Sequence, residues 1–201
     1  MIFKQLTVPP IGTNCYIFGD DATKMGAIVD PGGDAASILS AVQALGLTVS
    51  AIFLTHGHYD HVGALPELRK ALPDVPVYLH PADKAARDGS LFPDPGPTAD
   101  YTDGSTVAVG GLTVEVVHTP GHTPGGVCLK AGDVLFTGDT LFRGSMGRTD
   151  LPGGSYDAIM DSLKRLAALP GNYKVCPGHD APSTLEAERK GNYYMREALG
   201  Q

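Results

Sequence analysis

Residues 55–61 read Thr-His-Gly-His-Tyr-Asp-His, and they follow directly on the apolar run Ala51-Ile52-Phe53-Leu54. A step from apolar to ligand-rich sequence is what a buried strand opening into a metal-binding loop produces. In extended backbone His56 and His58 face one side and can share an ion, whereas the adjacent Asp60 and His61 diverge. A converging pair followed by a diverging pair suits two neighbouring ions better than one, because a four-coordinate ion does not readily draw four ligands from so short a loop. Caps and surface polar groups would explain an isolated His-X-His. They explain three histidines and an aspartate this close together poorly.

Three more segments repeat the pattern of an apolar stretch that opens into candidate ligands. Residues 114–117 lead into His118-Thr119-Pro120-Gly121-His122, residues 134–136 into Thr137-Gly138-Asp139-Thr140, and residues 174–176 into Pro177-Gly178-His179-Asp180. Side chains at the ends of adjacent strands converge, since rigid elements deliver their loops to a common edge.

The elements needed to hold these loops can be read from periodicity. Residues 2–8, 14–18 and 27–29 read as an N-terminal meander of strands. Asp34 is placed to cap a helix through Ile38, Leu39, Val42 and Leu45, with Gly46 as its stop. Residues 49–54 form the strand that feeds the histidine loop, and Val62, Leu65, Leu68 and Leu72 keep helical spacing up to Pro73. Residues 75–79 read as a strand, 81–87 as a short helix and 88–103 as a proline-rich loop. Residues 106–109 with 112–117, and 127–129 with 134–136, read as hairpins. A helix through Tyr156, Ile159, Met160, Leu163 and Leu166, a strand at 173–176 and a helix over 184–199 complete the chain. Two sheets packed face to face, with helices outside, satisfy this order.

Composition narrows the function. At 201 residues, 42% hydrophobic and 18% charged, the chain is ordinary for a globular domain with its own core. A net charge of -7 and the lack of any Lys/Arg cluster argue against a nucleic-acid partner. No transmembrane run is present, and Lys4 and Gln5 interrupt the N-terminal apolar residues, so a cytoplasmic protein without a membrane partner is expected. Cys15, Cys128 and Cys176 are odd in number and far apart, which fits small buried residues rather than disulfides or thiolate ligands.

The four motifs in this order, Thr-His-Gly-His-Tyr-Asp-His, Pro-Gly-His, Gly-Asp-Thr and Pro-Gly-His, resemble the metallo-β-lactamase-fold hydrolases over almost the whole chain. The resemblance implies an α/β fold, a four-layer αββα sandwich with metals at one sheet edge, as one domain over residues 1–201. It gives one metal to His56, His58 and His122 and a second to Asp60, His61 and His179, with Asp139 bridging, so that Asp60 and Asp139 are the catalytic carboxylates. Two divalent ions are implied, zinc in the first instance, although iron and manganese suit a His/Asp set equally. His118 and His80 match no family ligand; His118 is expected to be structural or to support a metal ligand from behind, His80 to be structural, and Asp30 to be a buried hydrogen-bonding residue.

Within the family, the bridging Asp139 looks like the glyoxalase II branch, because β-lactam-hydrolysing members usually carry cysteine at the second metal. Residues 138–142 and 147–154, Gly-Asp-Thr-Leu-Phe and Gly-Arg-Thr-Asp-Leu-Pro-Gly-Gly, resemble the short bacterial glyoxalase II-like hydrolases. The chain departs from long glyoxalase II enzymes in two places. No C-terminal helical substrate domain is expected, and Asp180-Ala181 stands where they have Glu-Tyr. Arg148 falls where the family places a basic glutathione contact, with a loop-surface salt bridge as the alternative.

The activity so implied is hydrolysis of a small S-acylglutathione-type thioester by a metal-bridging hydroxide between ions roughly 3.5 to 4 Å apart. A thiolate with a pKa of about 8.5 leaves without much help from a general acid. Two other activities share these motifs, a persulfide dioxygenase with one iron and a lactone hydrolase. A metal-stabilised binding module fits less well, because a structural zinc takes four closed ligands and no second ion. Oligomeric state is not encoded in any of these features.

Overall fold

The computed structural model describes residues 1–86 and 89–201. Its first half runs β1 (Ile2–Val8), β2 (Thr13–Gly19), β3 (Met25–Val29), α1 (Ala35–Ala44), β4 (Thr48–Phe53), α2 (Tyr59–Val62), α3 (Leu65–Ala71), β5 (Val77–Leu79), α4 (Pro81–Ala85) and β6 (Ala99–Asp100). The second half runs β7 (Thr106–Val109), β8 (Leu112–His118), β9 (Val127–Ala131), β10 (Val134–Gly138), β11 (Leu141–Phe142), β12 (Ser145–Met146), α5 (Tyr156–Ala167), β13 (Lys174–Pro177), β14 (Ser183–Thr184), α6 (Leu185–Gly191) and α7 (Tyr193–Ala198). Strands β1 to β6 form one sheet in sequence order, and β14-β13-β10-β9-β8-β7 form the other. No helix among the described residues is long and apolar enough to cross a membrane.

Alternation along the strands produces the layers. In β2, Cys15 and Ile17 face outward into a cluster with Ile38, Leu65 and Leu68 of α1 and α3, while Tyr16 and Phe18 face the second sheet. In β10, Phe136 points to the inter-sheet core and Leu135 to the outer cluster that α5, α6 and α7 cover with Leu163, Leu185 and Met195. The result is the expected αββα sandwich, with each such side chain contributing about 1.5–3 kcal/mol on burial. Strand β4 breaks the alternation, because Val49 and Ile52 share the outer face although three residues apart. The register between β3 and β4 slips at Ser50, a bulge that restores Ala51 and Phe53 to the inner face just before the histidine loop.

Several boundaries differ from the sequence reading. The helix expected through Val62 and Leu72 is two, α2 and α3, because a side chain at Gly63 would collide with the Gly32 carbonyl and Ala64 N–H turns to the Pro31 carbonyl. The C-terminal helix breaks at Asn192, whose side chain caps α7 at Met195 N–H and donates to the carbonyls of Phe142 and Ser145. The proline-rich loop contains β6, which pairs in parallel with β5. The helix after His80 ends at Ala85, and positions 87 and 88 lie outside the described residues.

Strand direction sets where the site forms. Strand β10 is parallel to β13, and β8 and β10 both run antiparallel to β9, so the C-terminal ends of β8, β10 and β13 lie at one edge. The first sheet meets them there, joined by Val127 N–H to the Thr55 carbonyl at 2.9 Å and Asn14 N–H to the Gly178 carbonyl at 2.7 Å.

Candidate metal centre

All seven expected donors come together at this edge. His56 and His58 follow β4, Asp60 and His61 sit in the single turn of α2, His122 follows β8, Asp139 follows β10 and His179 follows β13. Three overlapping groups form, His56 with His58 and His122, His56 with His61 and Asp139, and Asp60 with His61 and His179, each with its donor atoms within 4.8 Å of one another.

In the first group His58 Nδ1 lies 3.1 Å from His56 Nε2 and 3.0 Å from His122 Nε2. The single N–H of a neutral His122 ring is taken up at Nδ1, 2.7 Å from the Arg148 carbonyl, so its Nε2 presents a lone pair to the group. Ligands 2.0–2.1 Å from a shared tetrahedral ion are spaced by about 3.3 Å, close to the arrangement here. Burial, and then the neighbouring imidazoles, hold His56 well below the ordinary histidine range. The same causes bring His58 down to about 3. Both rings are therefore neutral with lone pairs available, which is the state a metal ligand requires.

The second group has the opposite electrostatics. Asp60 Oδ2 is 3.3 Å from His61 Nε2 and 3.2 Å from His179 Nε2. Burial alone would depress both imidazoles, but Asp30 and Asp139 raise His61, and Asp60 with Asp139 raises His179. Burial pushes the Asp60 carboxyl up, yet the facing imidazoles of His179 and His61 and the hydrogen bond from Thr13 outweigh it and hold the group well below the carboxylate range.

The donor set fits a divalent cation by a direct test. His61 Nε2 and Asp139 Oδ1 are buried, have no hydrogen-bond partner among the described residues, and lie 3.4 Å apart. Oxygen and imidazole donors suit zinc, iron and manganese alike, and the buried cysteines contribute none.

Several residues hold these donors in place, and of them the sequence singled out only Asp30. Asp30 was expected to be buried and hydrogen-bonded, and it accepts from Thr55 N–H and Oγ1, both at 2.7 Å. Thr13 Oγ1 donates to Asp60 Oδ2 at 2.8 Å. Buried Asp83 accepts from the N–H of Gly57, the Thr123 hydroxyl and the N–H of Gly125, fastening the His56/His58 loop to the His122 loop. Asn14 and Tyr16 side chains both donate to the Pro177 carbonyl beside His179. Gly178 explains the glycine of its motif, since a Cβ there would stand 2.2 Å from Asp139 Oδ1. His118 and His80 stay outside the donor groups, stacked on each other with ring centroids 4.3 Å apart, and His118 Nε2 faces the Pro124 carbonyl.

A cavity of about 530 Å³ opens onto His58, Asp60, His122, Asp139 and His179. Arg148 reaches its rim but forms a two-pronged pair with Asp150, Nε to Oδ1 and Nη2 to Oδ2, each 2.7 Å.

A histidine-aspartate cluster at the strand ends of an αββα sandwich defines a divalent-metal hydrolase site. The sequence matches the metallo-beta-lactamase superfamily over residues 8–179, and the chain belongs to that superfamily. Hydroxyacylglutathione hydrolase GloC of Haemophilus influenzae is 33% identical, over 97% of this chain and 98% of that protein. The structure of BLEG-1 B3 metallo-beta-lactamase is similar with a TM-score of 0.85 and 35% identity, over 96% of this chain and 99% of that one. TTHA1623 in a di-iron-bound form is similar with a TM-score of 0.82 and 40% identity, over 95% and 99% of the two chains.

Proposed function

We propose that this chain is a glyoxalase II-like thioesterase, a hydrolase that binds two divalent ions and cleaves small S-acylglutathione-type thioesters. The observation that carries the reading is Asp139. Its Oδ1 lies 3.4 Å from His61 Nε2, while Oδ2 lies 3.5 Å from His122 Nε2 and 3.6 Å from His179 Nε2, so one carboxylate reaches both donor groups. His56, His58 and His122 would hold one ion, Asp60, His61 and His179 the other, and Asp139 both. Zinc is the first expectation, with iron or manganese as alternatives, and the di-iron relative supports a two-ion occupancy.

Two such ions, when bound, supply hydroxide near neutral pH and polarise a carbonyl oxygen. The chain's own groups set the geometry for that chemistry. The Arg148 carbonyl fixes the His122 tautomer, the Thr13 hydroxyl orients Asp60, and Leu91 and Phe142 line the cavity beside them. A thioester suits a site of this kind because its thiolate, with a pKa of about 8.5, departs without a dedicated acid. The similarity to GloC supports a glutathione thioester in particular.

Metal analysis and assay test the reading together. Two equivalents of metal per chain are expected, with S-lactoylglutathione hydrolysis lost on chelation and restored by zinc, iron or manganese. Asp139→Ala should lower both metal content and turnover sharply. A single iron per chain, with oxygen consumed on glutathione persulfide and no thioester cleaved, would overturn it.

A further inference from the structure

The cavity walls say what part of a thioester this site can recognise. Beyond the metal donors, its lining is mainly hydrocarbon and aromatic, from Ile11, Tyr59, Leu91, Phe142, Met146 and Leu151. Ile11 is 58% exposed and Tyr59 38% exposed, so two of the largest apolar side chains left open to solvent stand at this one mouth. Scattered single apolar residues need no explanation, but a set converging on a reaction centre marks a surface that an apolar ligand covers.

The charged group at the rim points the same way. Among the described residues Arg148 is the one cation lining the cavity apart from histidine, and its Nε and Nη2 edge is engaged by Asp150. A carboxylate on a ligand meets a guanidinium whose charge and two-pronged edge are already matched by Asp150, which weakens its attraction for an anionic thiol carrier.

From these two observations we infer that the cavity selects its substrate by an apolar acyl chain seated among Ile11, Leu91, Phe142 and Met146, with Asp150 muting Arg148 as a reader of the thiol carrier's carboxylates. The inference takes the reaction from the thioesterase reading, but what is selected rests on the cavity alone. Lactoyl, which carries a hydroxyl, is then a poorer occupant than an unbranched hydrocarbon acyl group of the same or greater length. Full burial of each methylene corresponds to about a fourfold gain until the cavity is filled.

Binding of uncleavable thioethers separates this inference from the reaction itself. S-methyl-, S-propyl- and S-hexylglutathione would be titrated calorimetrically into the metal-loaded protein. Kd is expected to fall with chain length by up to about fourfold per methylene. Ile11→Ser, an exposed loop substitution with no core to disturb, should flatten that dependence. Asp150→Asn should tighten all three thioethers by a similar factor, because it frees Arg148 for the common carrier. A Kd independent of chain length, or an Asp150→Asn variant that binds all three as the parent does, overturns the inference. Chain-length-dependent binding without hydrolysis of the matching S-acylglutathiones would leave it standing and remove the thioesterase reading instead.

Discussion

The Asp30 carboxylate stands behind His61, with Oδ2 3.1 Å from Nδ1 in an oblique approach, while both of its oxygens accept hydrogen bonds from Thr55. One buried acid thus ties the end of β3 to the loop after β4 and directs the other nitrogen of His61 toward Asp60 and Asp139. Its backbone is left-handed, with φ of 51°, a conformation whose cost is tolerated where a site needs it.

Asp30→Asn tests that relationship without disturbing the backbone, since asparagine also adopts left-handed φ. The variant should fold, but lose roughly 10- to 100-fold in metal affinity, as for other partners that orient a ligating histidine. Chelator competition measures this, and unchanged affinity would mean that Asp30 only anchors Thr55.

Asp83 makes a stronger structural demand. Asp83→Ala would strand the N–H groups of Gly57 and Gly125 and the Thr123 hydroxyl, all now satisfied by its carboxylate. Orphaned buried donors cost about 1–3 kcal/mol each, so a loss of several kcal/mol is expected, together with weaker metal binding as the two histidine loops part. Denaturant unfolding of the metal-free protein reads the first effect separately from the second. A variant with unchanged stability would show that water replaces the carboxylate.

Much of this centre was legible because the donors are clustered locally or repeat one pattern of apolar strand and ligand loop. His56, His58, Asp60 and His61 are neighbours in sequence, and His122, Asp139 and His179 each follow a short apolar strand. The supporting residues carry no such signal. Thr13 meets Asp60 across 47 positions, and Asn14 meets Pro177 across 163, so only the folded chain brings them together. The layers were legible from period-two alternation, but the bulge at Ser50 and the break at Asn192 were not. Both are set by tertiary hydrogen bonds, Ser50 Oγ to the Gly26 carbonyl and Asn192 Nδ2 to the β11–β12 hairpin, that override local periodicity.

His118 and His122 lie in one loop yet have separate roles, which a paired substitution distinguishes. His118 is stacked on His80 and faces the Pro124 carbonyl, whereas His122 faces His58 at 3.0 Å. His118→Asn should leave metal content nearly unchanged, while His122→Asn should lower it. Equal losses by elemental analysis would mean that the loop register is wrong.

The last prediction concerns the end of the sandwich away from the metals, where Asp20 ties the two sheets. Its carboxylate accepts from the Thr23 hydroxyl at 2.7 Å, from Gly111 N–H at 2.9 Å and from Ala22 N–H at 3.2 Å, joining the β2–β3 turn to the β7–β8 turn. These bonds, that from Thr23 first, lower its pKa from 3.8 to about 2. A carboxylate depressed on folding contributes stability that is fully present above its unfolded value and disappears as pH falls through the folded one. The contribution of Asp20 should therefore fade between about pH 4 and pH 2. Asp20→Asn removes the titrating group, so the gap in Tm between parent and variant should be widest above pH 5 and close across that window. Metal-free protein is used for both, and acid effects on the shared histidine-aspartate cluster then cancel in the difference. A gap that stays constant from pH 5 to pH 2 would mean that the Asp20 bonds persist when the group is protonated, and that charge has no part in holding the turns together.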